Sequence, residues 1–279
     1  MMRDLGSWPR RVVVFLFALG ALAPLYWTVI TSFKDQVDIY DGPKYVPFVD
    51  FTPTLAAWSS VLGRGEFLSM FLNSLIFSTV SSALAVVLGG VAAYGLARFS
   101  YKYGPYRNND LSFLIVSQRI MPPIVSVLAL YVVYVQVRLL DTAIGMILAY
   151  TAMNLPLTVY LLRSFFEAIP VELEHAAALD GYRRARRLRL IVFPLAGPGL
   201  AAAFLLSFFF AWNDFLFALM LTFNKAQTLP LFITSLNAQS QPLWAQISVA
   251  GLIALIPPAV VTVILDRFMS RQVLLGGMR

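Results

Sequence analysis

The sequence has 279 residues, of which 59% are hydrophobic and only 13% are charged, and its mean hydropathy is +0.75. Soluble domains average roughly 45–50% apolar and about 25% charged residues, so this composition excludes an ordinary soluble enzyme and predicts a polytopic membrane protein. The net charge of +7 arises from short, separate clusters of Lys and Arg rather than from one basic patch, which argues against nucleic acid as a partner.

The first apolar run raises the question of a cleaved signal peptide. It follows Arg10 and Arg11 and contains Ala21-Leu22-Ala23, which resembles a cleavage site. Pro24 comes directly after that triplet, and the apolar run continues to Ile30. At about 20 residues the run is long enough to cross a bilayer. We therefore predict an uncleaved first transmembrane helix.

Six apolar stretches reach membrane-spanning length, which predicts an all-α protein with six transmembrane helices. They lie at about 11–33, 68–97, 111–137, 144–166, 196–220 and 245–268. Most of the 21 Lys and Arg residues fall in alternate loops, so the positive-inside rule places both termini in the cytoplasm.

This topology divides one transmembrane domain, residues 1–279, into membrane and loop segments. We predict an external segment at 34–67, a cytoplasmic loop at 167–195 and a cytoplasmic tail at 269–279. The external segment contains a predicted short helix that begins near Thr54 as its cap. This segment and the polar outer stretch 223–244 are either plain connections or a docking surface for an external partner, and the sequence leaves both open.

Prolines interrupt three of the predicted spans, at Pro122-Pro123, Pro156 and Pro257-Pro258. A broken helix frees backbone groups that must be buried in protein or face water, so we expect breaks that line an internal cavity. A simple kink is the alternative at each position. Small residues on the second span, among them Gly89 and Gly90, predict close helix packing.

Polar residues inside the spans form a candidate translocation pathway, because ionisable groups in a membrane are costly and often functional. The candidates are Gln118, Arg119, Asn154, Trp212, Asn213 and Asp214. A structural hydrogen-bond network between helices is the alternative. We favour the structural role for Arg119 and leave Trp212-Asn213-Asp214 open.

Catalytic motifs are absent from the sequence. His175 is the only histidine, there is no cysteine, and no GxxxxGK[ST] phosphate-binding loop occurs. We therefore predict a non-catalytic chain that holds no metal or cofactor of its own. If the chain transports a solute, the energy has to come from elsewhere.

The longest stretch without a membrane-grade apolar run is Ile169–Pro198. Its first half, Pro170–Gly181, predicts a capped helix, since a proline is tolerated at a helix start and a glycine often ends a helix in the left-handed conformation. Glu172 and Glu174 fall in the first turn, where the helix dipole favours acidic residues. An arginine-rich helix follows, and we expect Pro194 to stop it.

Charge that sets topology explains the arginines of this loop but not its capped helix. The helix carries the small residues Ala176-Ala177-Ala178, predicted to form an exposed face. Such a face on a rigid helix suits insertion into a groove of another protein.

The loop resembles the signature of ABC importer permeases, and other stretches resemble the carbohydrate-importer permeases of the maltose type. The loop residues that carry the resemblance are Pro170, Glu172, Leu173, Glu174, Ala176, Ala177, Asp180, Gly181, Ile191, Pro194 and Pro198. The other stretches are Ser32-Phe33-Lys34, Asn73-Ser74, 93–99, Trp212-Asn213-Asp214, Thr228-Leu229-Pro230 and Gly276-Gly277. Residues 117–123 resemble a stretch in disaccharide and polyol permeases. His175 departs from the family, which usually has Glu there.

The resemblance implies the type I ABC importer permease fold and a role in ATP-driven carbohydrate import by alternating access. Loop 169–198 would dock on a separate ATPase through Glu172, Glu174, His175, Ala176, Ala177, Asp180, Gly181 and Pro194. The implied partners are a second, different permease, two ATPase subunits that use ATP and Mg, and an extracytoplasmic solute-binding protein.

The resemblance also implies the cytoplasmic (inner) membrane of a bacterium or archaeon as the location. Two other classes remain as alternatives, namely an ion-coupled secondary transporter and a membrane scaffold or receptor subunit. The scarcity of intramembrane acidic residues disfavours the first.

Overall fold

A computed structural model describes residues 7–237 and 241–276 of the chain. The helices run, in order, α1 Ser7–Thr31, α2 Gln36–Tyr40, α3 Ala56–Leu62, α4 Gly65–Arg98, α5 Asn108–Ser117, α6 Pro123–Val137, α7 Ala143–Glu167, α8 Val171–Leu179, α9 Arg184–Arg187, α10 Phe193–Leu195, α11 Gly197–Trp212, α12 Leu216–Leu221, α13 Leu229–Asn237 and α14 Trp244–Gly276. A π-helical turn, Leu188–Val192, joins α9 to α10.

Within the described residues, four helices are long and apolar enough to cross a membrane. They are α1, α4, α7 and α14, which correspond to the first, second, fourth and sixth predicted spans. Arg184–Leu195 and α11 pass the same test as a pair that bends by 73°. The predicted tail at 269–279 falls partly within α14, and residues 277–279 lie outside the described chain.

The third predicted span is not one helix, because α5 ends at Ser117 and α6 begins at Pro123. Pro122 has an extended ψ of 127° and Pro123 occupies the first turn of α6, where its missing N–H costs nothing. The predicted break at Pro122-Pro123 is thus confirmed, and it places Gln118 and Arg119 in a turn between two helices.

The other two predicted breaks were wrong. Pro156 lies inside the continuous helix α7, and Pro257-Pro258 lies inside α14. On either side of Pro156, α7 is bonded to neighbouring helices: Asn154 Nδ2 donates to the carbonyl of Ser207 on α11, and Thr158 Oγ1 donates to the carbonyl of Ala85 on α4, both at 3.2 Å. Neighbouring helices help a membrane helix to tolerate proline.

Pro194 also does not stop a helix, since helical structure continues through it to Leu195. The preceding turn is wider than an α-helix, with the Phe193 N–H donating to the carbonyl of Leu188, five residues earlier. A proline ring collides with the carbonyl of an ordinary α-helical turn, and the altered turn changes that geometry. The helix ends one residue later than predicted, at the bend before α11.

The helical class is confirmed, and the two strands that the structure describes form a small β-hairpin between α4 and α5. Strands β1 (Lys102–Tyr103) and β2 (Tyr106–Arg107) pair antiparallel, with Lys102 opposite Arg107. The turn between them contains Gly104, whose φ of +59° is unstrained for glycine. Strands of two residues are too short for a periodic sequence pattern to reveal.

The chain packs as two compact units. The first comprises the residues up to Ser69 together with Phe232–Ile256, and the second comprises Met70–Leu231 together with the chain from Pro257. In the second unit the predicted close packing of α4 is confirmed at Gly89, where a Cβ would collide with Thr158 of α7. One core cluster of this unit gathers residues of α4, α7, α11 and the loop around α8.

Candidate functional site

The predicted capped helix of the loop is confirmed as α8. Pro170 is its N-cap, and Glu172 and Glu174 lie in its first turn. Gly181 has a φ of +80°, and Tyr182 N–H donates to the carbonyl of Ala177 at 3.0 Å across the end of the helix. These are the left-handed residue and the backbone bond of a glycine-type helix end.

We expect Gly181→Leu to lower the stability of the purified protein by about 1–2 kcal/mol, because a leucine strains the left-handed backbone. The space around the position is open, so the loss comes from the backbone and not from a collision. Gly181→Asn is the matched control, since asparagine adopts this conformation more readily. Thermal unfolding in detergent checks the order glycine, asparagine, leucine, and equal midpoints for both variants would contradict it.

One side of α8 is anchored to the end of α4 through Glu174. Its carboxylate accepts a hydrogen bond from Tyr94 Oη at 2.6 Å and forms an ion pair with Arg98 Nε at 2.6 Å. Only 5% of Glu174 is exposed, and Ala177 on the same side is also buried. The prediction that Ala176-Ala177-Ala178 form one exposed face was therefore wrong for Ala177, because the helix turns this residue toward the core.

Further contacts hold α8 on this support. Arg98 Nη2 donates to the carbonyl of Ile169, just before the helix, at 2.7 Å. Arg187 Nη1 donates to the carbonyl of Glu174 at 3.1 Å, and the Arg184 guanidinium lies 4.9 Å from the ring centroid of Phe99. Arg184 and Arg187 thus contact other residues of the fold as well as contributing positive charge to the loop.

The opposite side of α8 is open. Its exposed residues are Glu172, Leu173, His175, Ala176, Ala178 and Leu179. Leu179, the last residue of α8, is 90% exposed, the highest value among the large apolar residues whose exposure the structure describes. Sequence reasoning missed Leu179, although an apolar residue directly before the cap of a polar-flanked helix is a signal that could have identified it.

Arg119 of the candidate pathway lies in the break between α5 and α6. Its guanidinium stacks 4.4 Å from the ring centroid of Phe210 on α11. Its Nη1 is buried without a hydrogen-bond partner among the described residues, and none of the ion pairs formed within that part of the chain includes Arg119. Gln118 beside it is exposed.

Asn154 of α7 is fully buried against α11. Its Nδ2 donates to the carbonyl of Ser207 at 3.2 Å, whereas Asn154 Oδ1 and Ser207 Oγ have no hydrogen-bond partner among the described residues. The contact between α7 and α11 is therefore polar at this point.

The other pathway candidates have structural contacts. Asp214 Oδ2 accepts from the backbone N–H groups of Phe217 and Ala218 and from Tyr150 Oη at 3.1 Å, so it pairs free N–H groups in the first turn of α12, one residue before the N-cap Phe215. The fifth predicted span, 196–220, is therefore two helices, because α11 ends at Trp212 and α12 begins at Leu216. Trp212 is buried and stacks on Phe208, and Asn213 Nδ2 donates to the carbonyl of Phe209.

A second organised region, not predicted from the sequence, is the loop between α12 and α13. The carboxylate of Asp141 accepts four backbone N–H bonds at 3.0–3.2 Å, from Phe223, Asn224, Lys225 and Ala226. Asn73 Nδ2 donates to the carbonyls of Lys225 and Gln227, both at 2.9 Å. Ser74 Oγ accepts from Leu229 N–H at 2.7 Å. Asn73-Ser74 thus fixes this loop from α4.

We expect Asp141→Asn to destabilise the protein by about 1–3 kcal/mol at neutral pH, because four donors lose a charged acceptor. Burial raises the pKa of Asp141, but the four N–H donors outweigh it and hold the pKa below its ordinary value. Since the folded pKa is depressed, the carboxylate stabilises the fold fully above the unfolded pKa of about 3.9, and this contribution is lost as the pH falls through the folded value.

The gap in unfolding midpoint between wild type and Asp141→Asn should therefore be large at pH 7 and shrink in acid. Asparagine also tolerates the left-handed φ of 55° at this position, so the backbone is matched. A gap that stays constant down to the lowest accessible pH would show that charge on Asp141 does not stabilise the loop.

Comparison with known proteins identifies the family. The family model of the binding-protein-dependent transport system inner membrane component matches residues 85–274. The sulfoquinovosyl glycerol transport system permease protein SmoH of Agrobacterium fabrum is 31% identical over 97% of this chain and 93% of its own length. The trehalose transport system permease protein SugB of Mycobacterium tuberculosis is 37% identical over 79% of this chain and 78% of its own.

Among solved structures, a chain of a bacterial ABC transporter involved in the import of the acidic polysaccharide alginate superposes with a TM-score of 0.73 at 21% identity. The match covers 96% of this chain and 98% of that one, which supports a shared fold. With a family model covering more than half of its length and a relative above 30% identity along nearly all of it, the chain belongs to the inner-membrane permease components of binding-protein-dependent ABC transport systems.

Proposed function

We propose that this chain is the membrane-spanning permease half of an ATP-driven importer of a carbohydrate. Two relatives similar to it carry names that refer to the transport of sulfoquinovosyl glycerol and of trehalose, and a third, 31% identical, is a diacetylchitobiose uptake permease of Streptomyces coelicolor. All three solutes contain sugars. The chain itself lacks a phosphate-binding loop, so ATP and Mg bind to a separate ATPase subunit.

The observation that carries this proposal is the construction of α8. The helix is fixed to α4 through buried Glu174 on one side and presents the exposed Leu179 on the other. A rigid helix with an apolar end suits a groove on another protein, and its anchorage passes any displacement to α4. The docking surface comprises Glu172, His175, Ala176, Ala178, Leu179 and Asp180, whereas Glu174 and Ala177 hold the helix in place.

The topology that fits this role has six transmembrane segments with both termini in the cytoplasm. If α5 and α6 form one broken segment and Arg184–Leu195 with α11 forms one bent segment, the total is six. The Lys and Arg distribution then places α8 on the cytoplasmic side of the inner membrane. A second, different permease, two ATPase subunits and an extracytoplasmic solute-binding protein complete the transporter.

Of the six candidate pathway residues, we propose that three line the translocation pathway: Gln118, Arg119 and Asn154. Arg119 and Asn154 have buried polar atoms without a partner among the described residues, and Gln118 and Arg119 lie in irregular backbone at a helix break. Irregular backbone in a membrane protein occurs where it lines a cavity. Hydroxyl groups of a passing carbohydrate could satisfy such atoms.

Uptake by the reconstituted transporter tests the proposed function. Proteoliposomes containing both permeases and the ATPases, supplied with the binding protein and a radiolabelled sugar that it binds, should accumulate the sugar only with ATP on the ATPase side. Uptake driven by a proton or sodium gradient without ATP would instead identify a secondary transporter. Absence of uptake in both conditions, in an assembled complex with active ATPase, would identify a scaffold.

A further inference from the structure

The external turn Tyr45–Asp50 is held by hydrogen bonds to the Asp50 side chain and between its own backbone groups. Asp50 Oδ2 accepts the N–H groups of Tyr45 and Val46, both at 2.8 Å. Phe48 N–H donates to the carbonyl of Phe51 at 2.9 Å. With the N–H groups of Val49 and Asp50, which both donate to the carbonyl of Val46, five hydrogen bonds within seven residues define one conformation for this turn.

The tip of the turn presents two large apolar side chains in an unfavourable conformation. Phe48 is 85% exposed and Val49 is 79% exposed. Phe48 also has a φ of +65°, a region in which a bulky side chain collides with the backbone and which glycine or asparagine would adopt more readily. The fold thus holds an aromatic ring in the open at a conformational cost, and such strain is typical of a functional position.

Contacts with α1 fix the depth of the turn relative to the membrane. Tyr26 Oη donates to the carbonyl of Tyr45 at 2.7 Å, and the rings of Trp27 and Tyr45 have centroids 5.5 Å apart. Both α1 residues belong to the candidate span Arg10–Thr31, and Tyr26 is five residues, or about 7.5 Å at 1.5 Å per residue, before its end.

The direction of these side chains places the turn beside the span rather than beyond it. Helical side chains lean toward the N-terminus of their helix, which for Tyr26 and Trp27 is toward the membrane interior. Lys34 reinforces the attachment, since its Nζ donates to the carbonyl of Lys44 at 2.5 Å and lies 4.3 Å from the Trp27 ring centroid. The turn therefore lies level with the last turns of α1.

We propose that the turn Tyr45–Asp50 is an interfacial anchor that inserts Phe48 and Val49 into the outer leaflet of the bilayer, at the boundary between lipid headgroups and acyl chains. Tyr and Trp residues are enriched at this depth, and Tyr26, Trp27 and Tyr45 meet there. The apolar side chains of α1 on either side are mostly exposed, as expected for a helix in contact with lipid. Contact with lipid explains why two large apolar side chains are exposed on an external loop.

The absence of cysteine from the chain allows a direct test of the depth of Phe48. Phe48→Cys carries a nitroxide label in the assembled transporter in lipid nanodiscs, and its collision rates with oxygen and with a water-soluble nickel chelate are measured. Labelling of the unsubstituted complex is subtracted to remove any cysteines of the partner subunits. Phe17→Cys, at an 80% exposed site within the α1 span, is the control in the acyl region, and Asp41→Cys, at an exposed site on the same external segment, is the aqueous control.

We expect the ratio of oxygen to nickel accessibility at position 48 to lie between the two controls and clearly above that of position 41. A ratio equal to that at position 41 would place the tip in water and overturn the proposal. Suppressed accessibility to both reagents would show that protein covers the tip, which would also overturn the proposal. Nickel accessibility that is high and falls only when the solute-binding protein is added would assign the turn to that partner, which also overturns the lipid anchor.

Discussion

Leu179→Lys should reduce the apparent affinity between the permease and its ATPase about 10- to 100-fold, with a corresponding loss of sugar-stimulated ATP hydrolysis. Burying a leucine contributes about 1.5–3 kcal/mol, and each 1.4 kcal/mol is a factor of about ten in affinity. The side chain is 90% exposed in this chain, so its removal costs the fold of the permease little. Lysine forms helices well and is favourable near a helix C-terminus, so α8 itself should persist.

The chain provides a matched control for this variant at Leu62. This residue is also an exposed leucine at the last position of a helix, α3, but lies in the predicted external segment. Leu62→Lys should leave ATPase binding and stimulation unchanged. Co-purification in mild detergent and ATP hydrolysis in proteoliposomes measure both effects. Equal behaviour of the two variants would show that the exposed end of α8 is not an ATPase contact.

Glu174→Gln should destabilise the permease by about 3 kcal/mol, because it leaves the guanidinium of Arg98 nearly buried without its carboxylate. The side chains of the pair are only 10% and 7% exposed, and the ion-pair distance is 2.6 Å. Glutamine can still accept the hydrogen bond from Tyr94, so the variant removes the negative charge of residue 174 but keeps this contact. We also expect hydrolysis and uptake to become uncoupled, since α8 loses its main attachment to α4.

The control for that result is the pair Arg163–Glu167, whose arginine side chain is 16% exposed but whose glutamate is open to solvent. Its distance is 2.7 Å, but 47% of the Glu167 side chain is exposed. Exposed pairs contribute roughly 0–1 kcal/mol, so Glu167→Gln should have a small effect on the unfolding midpoint. The double variant Arg98→Leu with Glu174→Leu should lose less stability than the sum of the two single changes, because no unpaired charge remains. Additive losses would contradict a buried, coupled pair.

The sequence predicted the parts of α8 that depend on neighbouring residues. A proline at the start, acidic residues in the first turn and a glycine past the end each act within one helical turn, and the structure confirms all three. It could not predict which face of α8 is buried, because the partners of Glu174 are Tyr94 and Arg98, 80 and 76 residues away. The side chain of Glu174, which the resemblance assigns to ATPase coupling, is buried in its contacts with Tyr94 and Arg98.

The prolines also show that a local sequence pattern does not by itself determine where a helix ends. Proline removes one donor wherever it occurs, yet α5 and α6 separate at Pro122-Pro123 while α7 continues through Pro156. The difference lies in the surroundings: Pro123 begins a new helix after an extended Pro122, whereas Pro156 lies between Asn154 and Thr158, which bond to carbonyls of α11 and α4. Asp141 illustrates the same limit for loops, because its four donors lie more than 80 residues away along the chain.

The central claim is that an ATPase acts on this permease through α8, and site-specific cross-linking during ATP turnover tests it most directly. Ala178→Cys, at an exposed position beside Leu179, should cross-link to the ATPase subunit in the reconstituted transporter. Lys102→Cys, exposed on the β-hairpin and predicted to face the same side of the membrane, should not form this cross-link. Cross-linking at 178 with none at 102 is the predicted result, and absence of any ATPase cross-link at 178 in a transporter that hydrolyses ATP and imports sugar would contradict the claim.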